Sequence, residues 1–405
     1  MTAVELCVGA GGLALGAARA GISKQVLIDN DPRACETLRE NLKALVSVQS
    51  SWSICCEDIS GYDFSQHSGV DVVIGGPPCQ PFSRGGSRRG WTDKREMLPH
   101  LVRAVRECHP RGFLIENVRG LLDPPFNDYF TYVTLQLQFP GAERRRGERW
   151  REHRARLLRL QARRSASEPR YNVTWRTLNA ADYGVAQRRE RVFVVGLRAD
   201  IAETFAFPEP THTREKLIFE QWETSEYWDR HGVARPGRLS RSPRLGTDCL
   251  PHDSPPLGAA WRTVRDAIGD LPRLSRGRAS RGIANHCLNP GARSYAGHEG
   301  SQLDWVAKTI KAGRHGVPGG ENTLSMRGGR VRYLSVRECA RLQSFPDDWV
   351  FSGSWCSCMR QVGNAVPVSL AEAVAVPLVA ALKGPAQPAS PKCALAKPVL
   401  PNSKH

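Results

Sequence analysis

A cysteine set behind two prolines at the end of an apolar run is poorly placed for packing and well placed for chemistry. Cys79 stands in Gly75-Gly76-Pro77-Pro78-Cys79-Gln80-Pro81-Phe82-Ser83, directly after an apolar run at 70–74. The prolines stiffen the backbone before it, and open parallel sheets build their sites at the carboxyl ends of strands. Cysteine is the best side-chain nucleophile near neutral pH once its pKa is lowered, and Arg84, Arg88 and Arg89 would make the loop electropositive and favour the thiolate. Glu116, in Glu116-Asn117-Val118, follows the apolar run at 112–115 and lies at the same sheet edge, one strand along. A thiolate beside a protonatable acid suits addition of sulfur to a ring carbon while the acid protonates a ring nitrogen. Taken without the Cys79 loop, Glu116 would read as a capping or salt-bridging residue.

These residues need a sheet to hold them. Runs at 4–8, 25–28, 70–74, 112–115 and 191–197 are rich in Val, Ile and Leu and bounded by Gly, Pro or charge, as strands covered on both faces are. Helical patterns lie between them. In one, Leu98, Leu101, Val102 and Val105 share a face, with Arg103, Arg106 and Glu107 turned away. The expected fold is therefore α/β: a Rossmann-like, mostly parallel sheet with helices on both faces. Residues 141–170 hold eleven Arg against four Glu, with Trp150, Leu157 and Leu160 at helical spacing, which predicts an inserted basic helix that is either a DNA-backbone contact or a solvated surface. From 205 to 290 the texture turns to Pro, Gly, Ser and Arg, the mark of long loops or a smaller irregular domain. A last helix is expected over 368–382, before a Pro/Ala/Lys tail at 384–405 that reads as disordered.

Gly9-Ala10-Gly11-Gly12 follows the first strand and opens a helix, so backbone there can approach a ligand closely. Asp29, at the end of the second strand, is placed for ribose hydroxyls, and Asp58 for an exocyclic amine of adenine. Capping is the plainer reading of Asp29 and Asp31, which stand just before Pro32. On this turn alone, a nicotinamide dehydrogenase is an equal reading.

The formal charge of +17, from 57 Lys and Arg against 40 Asp and Glu, favours a polyanionic partner. No apolar run approaches the roughly 18 residues that span a bilayer, and Met1-Thr2-Ala3-Val4-Glu5 lacks the layout of a signal peptide, so no membrane is involved and a cytoplasmic location is expected. The 12 Cys then read as reduced thiols. Cys55-Cys56 and Cys356-Ser357-Cys358 lack a second pair at ligand spacing, so no metal site is expected.

GGPPCQPFS at 75–83, ENV at 116–118, QRRER at 187–191 and QVGNAVP at 361–367 resemble the DNA cytosine-5 methyltransferase family, in the family's order. The resemblance also takes in 9–12, Asp58, 177–184 and 337–347, most of the chain outside 205–300. It implies S-adenosylmethionine held by Gly9, Gly11, Gly12, Asp29, Asp58, Ile59, Pro78, Asn364 and Ala365. It implies that Cys79 adds to cytosine carbon 6 and that Glu116 engages ring nitrogen 3, with Arg189 near the target base and Arg191 tied to the catalytic loop. Gln80 and Ser83 would touch DNA, and the cytosine would leave the stack, as methylated bases do in general. Residues 1–202 and 331–383 would be the catalytic domain and 203–330 the target-recognition domain, where Arg314, Arg327 and Arg330 amid Gly suit a groove. Double-stranded DNA is the implied substrate and a cognate restriction endonuclease the implied partner of a monomer. The branch of the family that modifies transfer RNA is the alternative, and a catalytically dead DNA-binding regulator is disfavoured because the catalytic residues are present. One departure stands out. Cys7-Val8 occupy the places of a usual Phe-Ala, and Asp29 that of a commoner Glu, so weaker cofactor contact is expected.

Overall fold

The computed structural model describes residues 1–43, 51–82, 89–163, 170–236, 255–274, 282–294, 299–312 and 322–384. Its apolar runs form a seven-stranded sheet. The strands are β1 (Thr2–Leu6), β2 (Lys24–Ile28), β3 (Ser51–Cys55), β4 (Val72–Gly75), β5 (Gly112–Val118), β6 (Tyr171–Asn179) and β7 (Glu190–Arg198), in the order β3-β2-β1-β4-β5-β7-β6. The five strands from β3 to β5 are parallel, whereas β7 runs antiparallel to both β5 and β6. The expected mostly parallel α/β sheet is present. Its antiparallel strand departs from the all-parallel order of dinucleotide-binding sheets.

The connections carry α1 (Gly12–Arg19), α2 (Pro32–Glu40), α3 (Leu98–Cys108), α4 (Asn127–Gln138) and α5 (Trp150–Arg163). Asp31 caps α2 by accepting the Arg33 amide at 3.0 Å, with Pro32 in the first turn. α3 buries the expected face, but its polar face is not simply solvated: Arg103 donates to the carbonyls of Ile59 at 2.6 Å and Tyr62 at 2.8 Å and so pins the turn after β3. The basic helix expected within 141–170 is α5, held to α4 by buried His153 and Leu157.

The second half contributes β8 (His212–Thr213), α6 (Arg214–Trp222), α7 (Glu226–Arg230), β9 (Ala259–Ala260), α8 (Val264–Ile268), β10 (Thr323–Ser325), β11 (Val331–Tyr333), α9 (Val336–Leu342), α10 (Trp355–Asn364) and α11 (Val368–Lys383). Leu217, Ile218, Trp222, Tyr227 and Trp228 make a small core of their own. Ala307, Ile310 and Leu324, however, pack with Val8, Leu38 and Trp349, so apolar contact runs across the expected boundary at 330. α11 returns to the sheet beside α1, where a side chain at Gly16 would meet the Ala371 methyl at 2.5 Å. The span Trp355–Lys383 is apolar and long enough to cross a membrane, but it is two helices broken before Pro367, and Val362, Leu370, Val374 and Leu378 lie in the core. The tail from 385 lies outside the described residues.

Candidate active site

β4 and β5 lie side by side with Gly75 opposite Ile115, so the loop carrying Cys79 and the strand end carrying Glu116 leave the same edge. β7 supplies the third member. Val118 faces Arg191 across the antiparallel pair, which makes Glu116 and Arg191 diagonal neighbours on one face, within reach of a long side chain. Arg191 Nε contacts Glu116 Oε1 at 2.8 Å, and both side chains are largely buried. Gly76 borders this pair: a Cβ there would stand in ordinary contact with Glu116 Oε2, at 3.7 Å.

Arg191, expected to be tied to the catalytic loop, pairs with Glu116 because the strand register puts it there. Arg189, expected beside the target base, is fully buried and donates to the carbonyls of Ile310 at 3.0 Å, Gly363 at 2.8 Å and Ala365 at 3.0 Å. It fastens the segment after α10 to β7. Its charge is nevertheless felt at Cys79 and Glu116. Gln187 acts in the same layer, accepting the Ile310 amide at 2.9 Å and donating to the Leu342 carbonyl at 3.1 Å and Gln343 Oε1 at 3.0 Å.

Burial decides the electrostatics. It pushes the Glu116 carboxyl up, against the pull of Arg191 and Arg189, so the net direction is above the ordinary carboxylate range. Burial likewise pushes the Cys79 thiol up, with Arg191 and Arg189 lowering it and Glu116 raising it. The electropositive loop was expected to favour the thiolate. Arg84 and Arg88 lie outside the described residues; among the described ones Arg191 and Arg189 pull the Cys79 thiol down most, and desolvation outweighs them. With its thiol pushed up by burial, Cys79 is expected to react slowly at neutral pH. Iodoacetamide labelling of Cys79, followed by peptide mass spectrometry, should accelerate about tenfold per pH unit between pH 7 and 9, since only the thiolate reacts. A flat profile would mean the thiol is already ionised.

The cofactor candidates gather at the ends of β1, β2 and β3. Asp29 accepts the Gly9 amide at 2.8 Å with one carboxylate oxygen and the Asp31 amide at 2.8 Å with the other. It thus shapes the glycine turn as well as bordering it. At Gly9, with φ 58°, nothing lies within 4 Å of where a Cβ would stand, so the space above the turn is open to a ligand. Gly11 and Gly12 are glycine for a different reason: a Cβ at 11 would meet Leu38 at 2.7 Å, and one at 12 the Val366 carbonyl at 2.2 Å. Asp58 is exposed, bonded to the Ser60 amide at 2.8 Å and to Asn30 at 3.4 Å, with Ile59 buried behind it. Asn364 is exposed, and the Ala365 carbonyl is held by Arg189. Cys7, where the resemblance expects an aromatic ring, has a left-handed φ of 57° and is half-buried. Asp29→Asn would put a donor opposite one of two amides, and we expect it to cost about 1 to 3 kcal/mol of stability in urea unfolding. Unchanged stability would contradict that role for Asp29.

Of the DNA-facing candidates, Gln80 is half-buried and its Oε1 is buried with no hydrogen-bond partner among the described residues, an acceptor left for a ligand. Arg330 is exposed. Ser83, Arg314 and the side chain of Arg327 lie outside the described residues. Sequence reasoning missed Arg103 as a support of the turn at 59–62, because only the contact made in three dimensions separates it from a solvated helix face.

The family model described as C-5 cytosine-specific DNA methylase matches residues 1–141 and 153–379. The chain is similar to Type II methyltransferase M.NgoMIV of Neisseria gonorrhoeae, 32% identical over 94% of this chain and 98% of that protein. It is similar to Type II methyltransferase M.FnuDI of Fusobacterium nucleatum, also 32% identical, over 93% of each. Among solved structures it shares its fold with S. pombe Dnmt2 methyltransferase, at a TM-score of 0.55 and 18% identity over 95% of this chain and 100% of that one. The Entamoeba histolytica methyltransferase EhMeth aligns at a TM-score of 0.53 and 12% identity, over 94% and 97%.

Proposed function

The chain belongs to the C-5 cytosine-specific DNA methylase family and is a DNA cytosine-5 methyltransferase, and from that premise we propose that it methylates a flipped cytosine in a specific duplex sequence through a covalent bond to Cys79. The observation that carries the reading is the buried Glu116–Arg191 pair standing beside the Cys79 loop. In this reading Cys79 Sγ, as thiolate, forms a bond to cytosine carbon 6. Glu116, whose proton burial helps it keep, hydrogen-bonds and protonates ring nitrogen 3, which draws the added electron pair toward the ring and leaves carbon 5 electron-rich. Arg191 orients the acid, and Arg189 holds the floor of the site through the carbonyls of 310, 363 and 365. After methyl transfer the carbon-5 proton leaves to water, the carbon–sulfur bond breaks to return Cys79 as thiolate, and ring nitrogen 3 gives its proton back to Glu116.

The open glycine turn with its Asp29 and Asp58 flanks fits S-adenosylmethionine: room above Gly9 for backbone approach, Asp29 for the ribose, and Asp58 with Ile59 for the adenine. Bound there, that molecule supplies an electrophilic methyl group. Pro78, Asn364 and Ala365 complete the pocket wall in this reading. Gln80, Ser83, Arg314, Arg327 and Arg330 would meet the DNA, residues 203–330 would select its sequence, and the catalytic domain would comprise 1–202 and 331–383. The similarity to type II methyltransferases supports a role as the modification partner of a restriction endonuclease in a bacterial cytoplasm, and in this reading the enzyme acts as a monomer.

Incubating the purified protein with labelled S-adenosylmethionine and duplex DNA, then sequencing after bisulfite treatment, tests this. Modified cytosines in one sequence context are expected. Label in transfer RNA and none in duplex DNA would replace the reading with its RNA counterpart.

A further inference from the structure

The match to the family model stops at 141 and resumes at 153, and the chain between carries five arginines: Arg144, Arg145, Arg146, Arg149 and Arg151. The three acids of this insertion are engaged in holding it together. Glu143 pairs with Arg106 at 2.9 Å, Glu148 with Arg156 at 3.0 Å, and Glu152 accepts the Arg149 amide at 2.9 Å. His153 fixes the base, donating from Nε2 to the Ala142 carbonyl at 2.7 Å and accepting the Tyr132 hydroxyl at Nδ1 at 2.9 Å. Arg144, Arg145, Arg146 and Arg149 are left exposed, and none makes an ion pair among the described residues. A solvated surface would gain from pairing both signs of charge; here the three acids have partners within the fold while four exposed arginines have no ion pair among the described residues.

The position of the insertion is equally informative. α5 runs alongside α4 in the same direction, with Trp150 near Tyr129 and Tyr132 at one end and Gln161 bonded to Gln138 at 2.9 Å at the other. Its first turn therefore sits at the catalytic edge. There Trp150 packs on Trp91 at 5.6 Å between ring centroids, while Tyr129 touches both Trp91 at 5.6 Å and Phe82 at 6.0 Å. Phe82 and Trp91 are the two ends of the loop that follows Cys79. Trp150 thus seats the C-terminal end of the insertion, with Arg149 beside it, on the aromatic residues that flank the segment after Cys79, while Glu143 ties its other end to α3 through Arg106.

We propose that the 142–152 insertion is a second DNA-backbone contact, in which Arg144, Arg145, Arg146 and Arg149 bind phosphates flanking the target cytosine. The proposal rests on the duplex-DNA reading above. Arginine on phosphate adds affinity without sequence information, so the insertion strengthens and orients binding while base selection stays elsewhere. Trp150 on Trp91 puts this contact at the sheet edge that carries Cys79.

The test compares wild type with the quadruple variant R144Q/R145Q/R146Q/R149Q, measuring the dissociation constant of a target duplex from low to high salt and the KM for the same duplex. Each lost phosphate contact removes about 0.9 from the slope of log affinity against log salt, so a reduction of about two to four is expected, with duplex KM raised about tenfold or more at low salt. Identical slopes and KM values would overturn the proposal. So would a change confined to transfer RNA with duplex binding intact. A wild-type protein that neither binds nor methylates duplex DNA would instead sink the functional reading, and wild type alone reveals that outcome.

Discussion

Cys79→Ser should lower the single-turnover rate of methyl transfer by at least about a thousandfold while leaving duplex binding in place. Serine is close in volume and Cys79 is only half-buried, so the substitution leaves packing intact and tests chemistry alone. A serine hydroxyl stays protonated where a thiol can ionise, and the carboxyl beside it, Glu116, is engaged with Arg191. Rapid-quench measurement with labelled cofactor checks the rate, and a filter-binding titration checks that DNA still binds. A rate equal to that of wild type would mean that carbon 6 is attacked by another group.

The second large effect is at the acid. Glu116→Gln should reduce the methyl-transfer rate about a hundredfold to ten-thousandfold, the range in which a positioned acid contributes. Glutamine can still donate a hydrogen bond to ring nitrogen 3 but has no proton to give, and it leaves Arg191 without its carboxylate at 2.8 Å. The loss should fall on kcat with little change in cofactor affinity, because Glu116 belongs to the strand end beside Cys79 and not to the turn over Gly9. A variant within threefold of wild type would remove Glu116 from the chemistry.

What the sequence made legible was local. Val72-Val73-Ile74 and Phe113-Leu114-Ile115 are uninterrupted apolar runs bounded by Gly or charge, so β4 and β5 could be placed, and with them the edge that carries Cys79 and Glu116. β6 and α4 were not singled out. β6 is half-exposed along much of its length, which breaks the apolar pattern, and α4 is rich in aromatic and β-branched residues that weaken a helical reading. The partnership of Glu116 with Arg191 depends on an antiparallel register between strands some 70 residues apart, a long-range fact with no local signature. The same holds for Arg189, whose neighbours at 310, 363 and 365 meet only in the fold. The expectation of a lowered Cys79 pKa counted nearby arginines in the sequence and could not weigh burial, which dominates. Asp29 accepts the Asp31 amide, near the start of α2, and also the Gly9 amide, a brace across 20 residues with no local signature.

The covalent step itself can be caught. A duplex whose target carries 5-fluorocytosine cannot lose a carbon-5 proton after methyl transfer, so the carbon–sulfur bond has no route to break. Intact-mass analysis of protein incubated with that duplex and S-adenosylmethionine should show a stable one-to-one protein–DNA adduct, and peptide mapping should place it on Cys79. An enzyme that methylates ordinary duplex yet forms no adduct, or forms it on a different cysteine, would contradict the account.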